Sequence, residues 1–95
     1  MKYTTQFRVI EFDYLALNEK EKELLFWLNY EFDNTSSWTA FAERTTLGIV
    51  EYSRRLHPGA WRNFWLYQIH NDMIGRKGVR TGELSGKDIS ELFTE

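Results

Sequence analysis

Few residues in this chain are able to do covalent or metal chemistry. There are two histidines, His57 and His70, and no cysteine. Without thiols there is no disulfide, no thiolate nucleophile and no thiolate metal site. A zinc site needs three or four ligands at supporting spacings. His70 has Asp72 beside it and Glu51 lies upstream of His57, but neither HxxxH nor HExxH occurs. We therefore expect no metal and no cofactor. The serines Ser36, Ser37, Ser53, Ser85 and Ser90 all lie outside a G-x-S-x-G motif. Ser36, Ser37 and Ser85 stand where helices should start, and capping accounts for them. Glu19, Glu21 and Glu23 alternate with Lys20 and Lys22, which suits the solvated, dipole-favoured start of a helix better than paired catalytic carboxylates. Gly75-Arg76-Lys77-Gly78 has the glycines and cations of an anion site but not the spacing of a P-loop. The expectation is a chain that is not an enzyme. A triad is a matter of geometry, so a cleft joining His57 or His70 to a carboxylate and a serine would reopen the question.

Recognition chemistry is better represented. Trp61, Phe64, Trp65 and Tyr67 fall within seven positions of the segment 61–73. Arg54, Arg55 and His57 precede it; Arg76, Lys77 and Arg80 follow it. Residues 54–80 carry six Lys/Arg against one Asp, net +5, whereas residues 1–34 and 81–95 are each net −3. A basic middle between acidic ends is either a functional face or internal complementarity. Exposed ion pairs contribute little each, so complementarity alone is weak glue. Trp, Tyr, Phe, Met and Arg are the types enriched in interface cores and hot spots. With four Trp, five Tyr and seven Phe in 95 residues, a single core has more large aromatics than it can fully cover. Trp27, Tyr30, Tyr52, Tyr67 and Trp38 are the candidates for surface duty. The expected partner is another protein, and the expected contact residues are Arg54, Arg55, Arg62, Tyr67, Arg76, Lys77 and Arg80. The alternative is a nucleic-acid-binding regulator, in which helices at about 37–56 and 60–74 form a helix-turn-helix-like pair. Against it, the net charge is −2 and helix 60–74 offers only Asn63, Gln68 and Asn71 as polar base readers.

The elements that must position these residues follow from local signals. Residues 3–14 are rich in β-branched and aromatic types and read as extended. Phe7 and Val9 share one face, and Ile10, Phe12 and Tyr14 the other, which predicts a bulge or a strand covered on both sides. Asn18 with Glu21 three positions on is a capping box, so the first helix starts there and ends near Asp33-Asn34. Phe26, Trp27 and Tyr30 add to the stripe of Leu24, Leu25, Leu28 and Phe32, making the second half of this helix apolar almost all round. Such a helix is central or partly covered by a partner. The second helix follows Thr35-Ser36-Ser37, with Gly48 either breaking it or letting a neighbour approach closely. His57-Pro58-Gly59 ends it. The third helix runs to about Ile74 with Trp61, Phe64, Trp65, Ile69 and Met73 on one side, and Gly75 stands as its C′ residue. Residues 75–84 read as a loop, with 79–84 able to pair with the N-terminal segment. A last short helix starts at Ser85, with Leu84 and Ile89 as a hydrophobic staple. Pro58 is the one candidate for a cis bond, with trans favoured.

The length suits one domain, residues 1–95. The fold class expected is mainly α: three principal helices, a short C-terminal helix, and an extended N-terminal segment forming a short β-pair. No run approaches the roughly 18 apolar residues of a membrane span, and Met1-Lys2-Tyr3-Thr4-Thr5 does not open a secretory signal. With no cysteine, this predicts a cytoplasmic protein without membrane contact. In size, in aromatic richness and in lacking a catalytic set, the chain is similar in general character to small accessory proteins of phages and mobile elements. Many of those bind and inhibit one host protein. No motif carries the likeness, so it assigns no residues.

Overall fold

The first fourteen residues fold back on themselves instead of running as one strand. In the computed structural model, which describes residues 1–56, 64–78 and 84–95 (side chains excepting 53–56 and 64), β1 spans Lys2–Thr4 and β2 spans Val9–Glu11. They pair antiparallel, with Tyr3 opposite Ile10. The turn between them needs no glycine or proline, because the Thr5 side chain builds it. Its hydroxyl accepts from the N–H groups of Phe7 (3.1 Å) and Arg8 (2.8 Å) and donates to the Arg8 carbonyl (2.9 Å). This corrects the expected bulge. The change of face at Val9-Ile10 arises because Phe7 sits on the turn and not in a strand.

The second partner of β1 is β3, Phe93–Thr94, also antiparallel, giving the strand order β2-β1-β3. The sheet therefore joins the two ends of the chain; residues 79–83, expected to pair here, lie outside the described residues. Tyr3 is fully buried between Ile10 and Phe93, and its ring meets Phe93 edge-on at 4.8 Å.

The described residues add four helices to the sheet. A single 3-10 turn, Tyr14–Ala16, leads into α1, Glu19–Asn34. The Asn18–Glu21 capping box forms as expected: Asn18 accepts from the Glu21 N–H (2.8 Å) and Glu21 accepts from the Asn18 N–H (3.0 Å). At the other end, Asn34 donates to the Tyr30 carbonyl and Thr35 to the Glu31 carbonyl, so two last-turn carbonyls are satisfied where the helix stops. α2, Trp38–Leu56, is continuous through Gly48. α3 is described over Phe64–Gly78 and α4 is Gly86–Ser90, capped by Ser85. His57, Pro58 and Gly59 lie outside the described residues.

α3 corrects two expectations. It does not stop at Gly75 but continues to Gly78, because tertiary contacts hold its last turn. Arg76 pairs with Asp72 one turn earlier (2.7 Å), Lys77 donates to the Phe32 carbonyl of α1 (2.6 Å), and the Trp38 indole lies against Gly78. Its most buried face is Leu66, Ile69, His70 and Met73, so Leu66 and His70 join Ile69 and Met73 in the core. Trp65 is half-buried and stacks on Phe12 at 4.6 Å. Leu24, Leu28 and Phe32 of α1, Phe41 and Ile49 of α2, and Ile89 of α4 complete one core. The result is a mainly helical domain with three principal helices, a short fourth and a small sheet at its termini.

Candidate functional site

Two places combine aromatic and charged side chains, and they differ in what those side chains do. The first is the junction of sheet and α3. Asp72 is almost completely buried and accepts three bonds: from the Tyr3 hydroxyl (2.9 Å), from the Gln6 N–H (3.0 Å) and from Arg76 Nε (2.7 Å). Arg76 also donates to the Thr4 carbonyl. Burial, reinforced by the adjacent carboxylate, pushes the Tyr3 phenol far above its usual range. The phenol is therefore a permanent donor, and the cluster is a closed network that pins α3 to the hairpin.

His70 is likewise committed inward. The Thr45 hydroxyl gives its one proton to the Phe41 carbonyl (2.7 Å), so at His70 Nε2 (2.8 Å) it must accept. His70 is thus the Nε2–H tautomer, and burial lowers its pKa to about 4. Of the two histidines singled out in the sequence, His70 meets a threonine hydroxyl between α2 and α3, and His57 lies outside the described residues. Among the described residues, no group of three or more His, Asp or Glu is placed to hold a metal ion.

The second place is the groove between α1 and α2. It is lined by Lys20, Glu23, Leu24, Phe26, Trp27, Tyr30, Gly48, Glu51 and Tyr52 and holds about 630 Å³. Gly48 sets its floor. A Cβ there would stand 3.1 Å from Cη2 and 3.2 Å from Cζ3 of Trp27, so the missing side chain lets the indole lie against α2. The close approach expected at Gly48 is therefore made by a side chain of α1. At one end Asn18 donates to the Tyr52 hydroxyl (3.0 Å), tying the ring to the start of α1. On the α1 side, Phe26 is 78% and Tyr30 57% exposed, one turn apart beside the half-buried Trp27. Leu47, on α2, is exposed one residue before Gly48. Phe26 also borders a smaller depression of about 300 Å³ with Tyr14, Lys22, Leu25 and Asn29, so it stands as a ridge between two concavities.

Of the residues expected to form one contact surface, the side chains of Tyr67, Arg76 and Lys77 are described, all on α3. Arg76 and Lys77 are held by intramolecular bonds: the Arg76 side chain is 15% exposed, and Lys77 Nζ lies 4.4 Å over the Phe32 ring. Tyr67 is 45% exposed on α3. Arg54 and Arg55 belong to the last turn of α2, but their side chains lie outside the described residues, as do Arg62 and Arg80. α3 shows solvent chiefly Tyr67 and Asn71 among its described positions before Gly78, and Gln68 faces the Arg8 guanidinium at 2.9 Å with its amide oxygen. Of the aromatics expected at the surface, Tyr30, Tyr67 and Trp38 are exposed, Trp27 is half-buried and Tyr52 is buried.

No described helix is long and apolar enough to cross a membrane. No family model, no curated protein and no solved structure matches the chain.

Proposed function

We propose that this chain is a non-enzymatic protein-binding module, of the inhibitor or adaptor kind, and that it grips its partner along α1. The observation that carries the reading is the pair of rings on that helix, Phe26 and Tyr30, standing in solvent one turn apart and lining a groove with Trp27. Large rings left uncovered beside a concavity are a feature of interaction sites. Covering the exposed parts of the two rings contributes on the order of 5 kcal/mol. Association costs roughly 4–15 kcal/mol in lost freedom. The two rings alone therefore do not hold a partner, and Trp27 and the groove walls must be covered with them. The basic segment around Arg54 and Arg55 is a second surface of this proposal, with its own test.

The experiment is affinity capture from native lysate, with and without nuclease, using the wild-type chain, a Phe26→Glu/Tyr30→Glu variant and an Arg54→Glu/Arg55→Glu variant. We expect one stoichiometric, nuclease-resistant partner whose recovery drops at least tenfold in the α1 variant. Loss only in the arginine variant would move the surface to the basic segment. Recovery that collapses with nuclease would replace protein binding by nucleic-acid binding.

A further inference from the structure

The α1–α2 groove specifies more than an apolar contact, and the inference drawn from it rests on the protein-binding role proposed above. We propose that the groove takes a basic amphipathic helical segment of a partner protein, an apolar side chain lying over Trp27 and Lys or Arg side chains reaching Glu23 and Glu51.

The lining supplies both halves of that recognition. Phe26, Trp27 and Tyr30 give aromatic surface, against which the alkyl stem of a lysine or arginine packs and to whose faces its charged head is drawn. Two carboxylates, Glu23 and Glu51, face one ammonium, Lys20, in the same lining. Lys20 lies 3.5 Å from Glu23 on its own helix, which leaves the carboxylate of Glu51 as the uncompensated charge. Glu51 is exposed and has no ion pair among the described residues. Along α2 the exposed residues Glu43, Leu47 and Glu51 recur every fourth position, and of these Glu51 lines the groove. Of the two helices, α1 carries the negative charge, with five Asp/Glu against two Lys. An acidic segment laid here would meet like charge at Glu51, whereas a basic one finds its counter-charge there.

A partner segment fits better than a small cation. Phe26 and Tyr30 expose more ring surface than a small cation in the groove would cover. A helix set between α1 and α2 covers them, in the manner of helix-in-groove recognition with anchors one turn apart.

The test uses two labelled helical peptides of about 18 residues with the same leucine pattern, one with Lys/Arg on its polar face and one with Glu, titrated against the full chain. We expect the basic peptide to bind at least tenfold more tightly, with a preference that shrinks from about 50 to 500 mM salt. Glu23→Lys with Glu51→Lys should abolish the preference, and Phe26→Ala should weaken the basic peptide severalfold. Backbone NMR shifts should fall on α1 and α2. Equal binding of both peptides, binding of neither, an undiminished preference in the Glu variant, or shifts on α3 instead would overturn the proposal. So would sedimentation showing that the groove variants alter self-association, which would make a second copy the occupant. If the lysate partner is still lost on Phe26→Glu/Tyr30→Glu, protein binding stands and only the basic character of the partner falls.

Discussion

The sheet–α3 junction and the α1–α2 groove are built from the same kinds of residue and come to opposite states. At the junction an aromatic side chain, a carboxylate and a guanidinium close on one another: Tyr3 and Arg76 both donate to Asp72, and Arg76 also to the Thr4 carbonyl. In the groove the rings of Phe26 and Tyr30 stand in water and Glu51 has no cation beside it among the described residues. Residue type alone therefore does not mark a contact surface. What separates the two is whether the polar atoms already have partners and whether the rings are already covered. The comparison also explains why Arg76 and Lys77, which look like interface cations in the sequence, are in the fold structural ties between α3, the hairpin and α1.

The strongest way to break this comparison is Asp72→Ala. It strands a buried guanidinium, a phenol and an N–H, and should cost about 3–5 kcal/mol, read from urea unfolding. A loss below about 1 kcal/mol would mean that the junction is not a closed structural network.

The His70 contact should give the next largest effect, as a function of pH. With its folded pKa near 4, below the ordinary 6.5, the unfolded chain takes up the proton first on acidification. Stability is then complete above about pH 6.5 and falls on the order of 3 kcal/mol by pH 4. Unfolding free energies at several pH values check this, and His70→Gln should flatten that part of the curve while leaving the carboxylate titration below it.

The smallest effect on stability should come from the groove. Phe26→Ala and Tyr30→Ala should each change unfolding free energy by no more than about 0.5 kcal/mol, as exposed sites do, while reducing partner binding. A destabilisation above about 1 kcal/mol would show that these rings serve the fold, and the contrast between the two regions would disappear.

Much of the helical framework was legible because its signals are local. The Asn18–Glu21 box, the stop at Asn34 and the start at Ser85 all depend on atoms within a few residues of one another. The hairpin was not, because a threonine hydroxyl supplies the turn that glycine or asparagine usually announces. The run of α3 past Gly75 was not, because the bond holding it comes from Phe32, forty-five residues away in sequence. The candidate site divides the same way. That the second half of α1 carries too many apolar residues for one face is a matter of period, and period is readable. That Arg76 and Lys77 turn inward depends on Asp72, Thr4 and Phe32 arriving in three dimensions, and no spacing shows it.

Tyr3 and Phe93 are neighbours across the sheet although ninety residues separate them in the chain. Joining points so distant costs roughly 4 kcal/mol of loop-closure entropy, more than a two-residue strand can offset. The pairing becomes favourable only once the helices have shortened the effective distance between the ends. Burial of the Tyr3 phenol is therefore a late event and a clock for completion of the fold. Its ultraviolet signal, followed after dilution from denaturant, should lag the helical circular dichroism. Until it has changed, β1 and β2 are an uncovered hairpin, free to pair with another chain at high concentration.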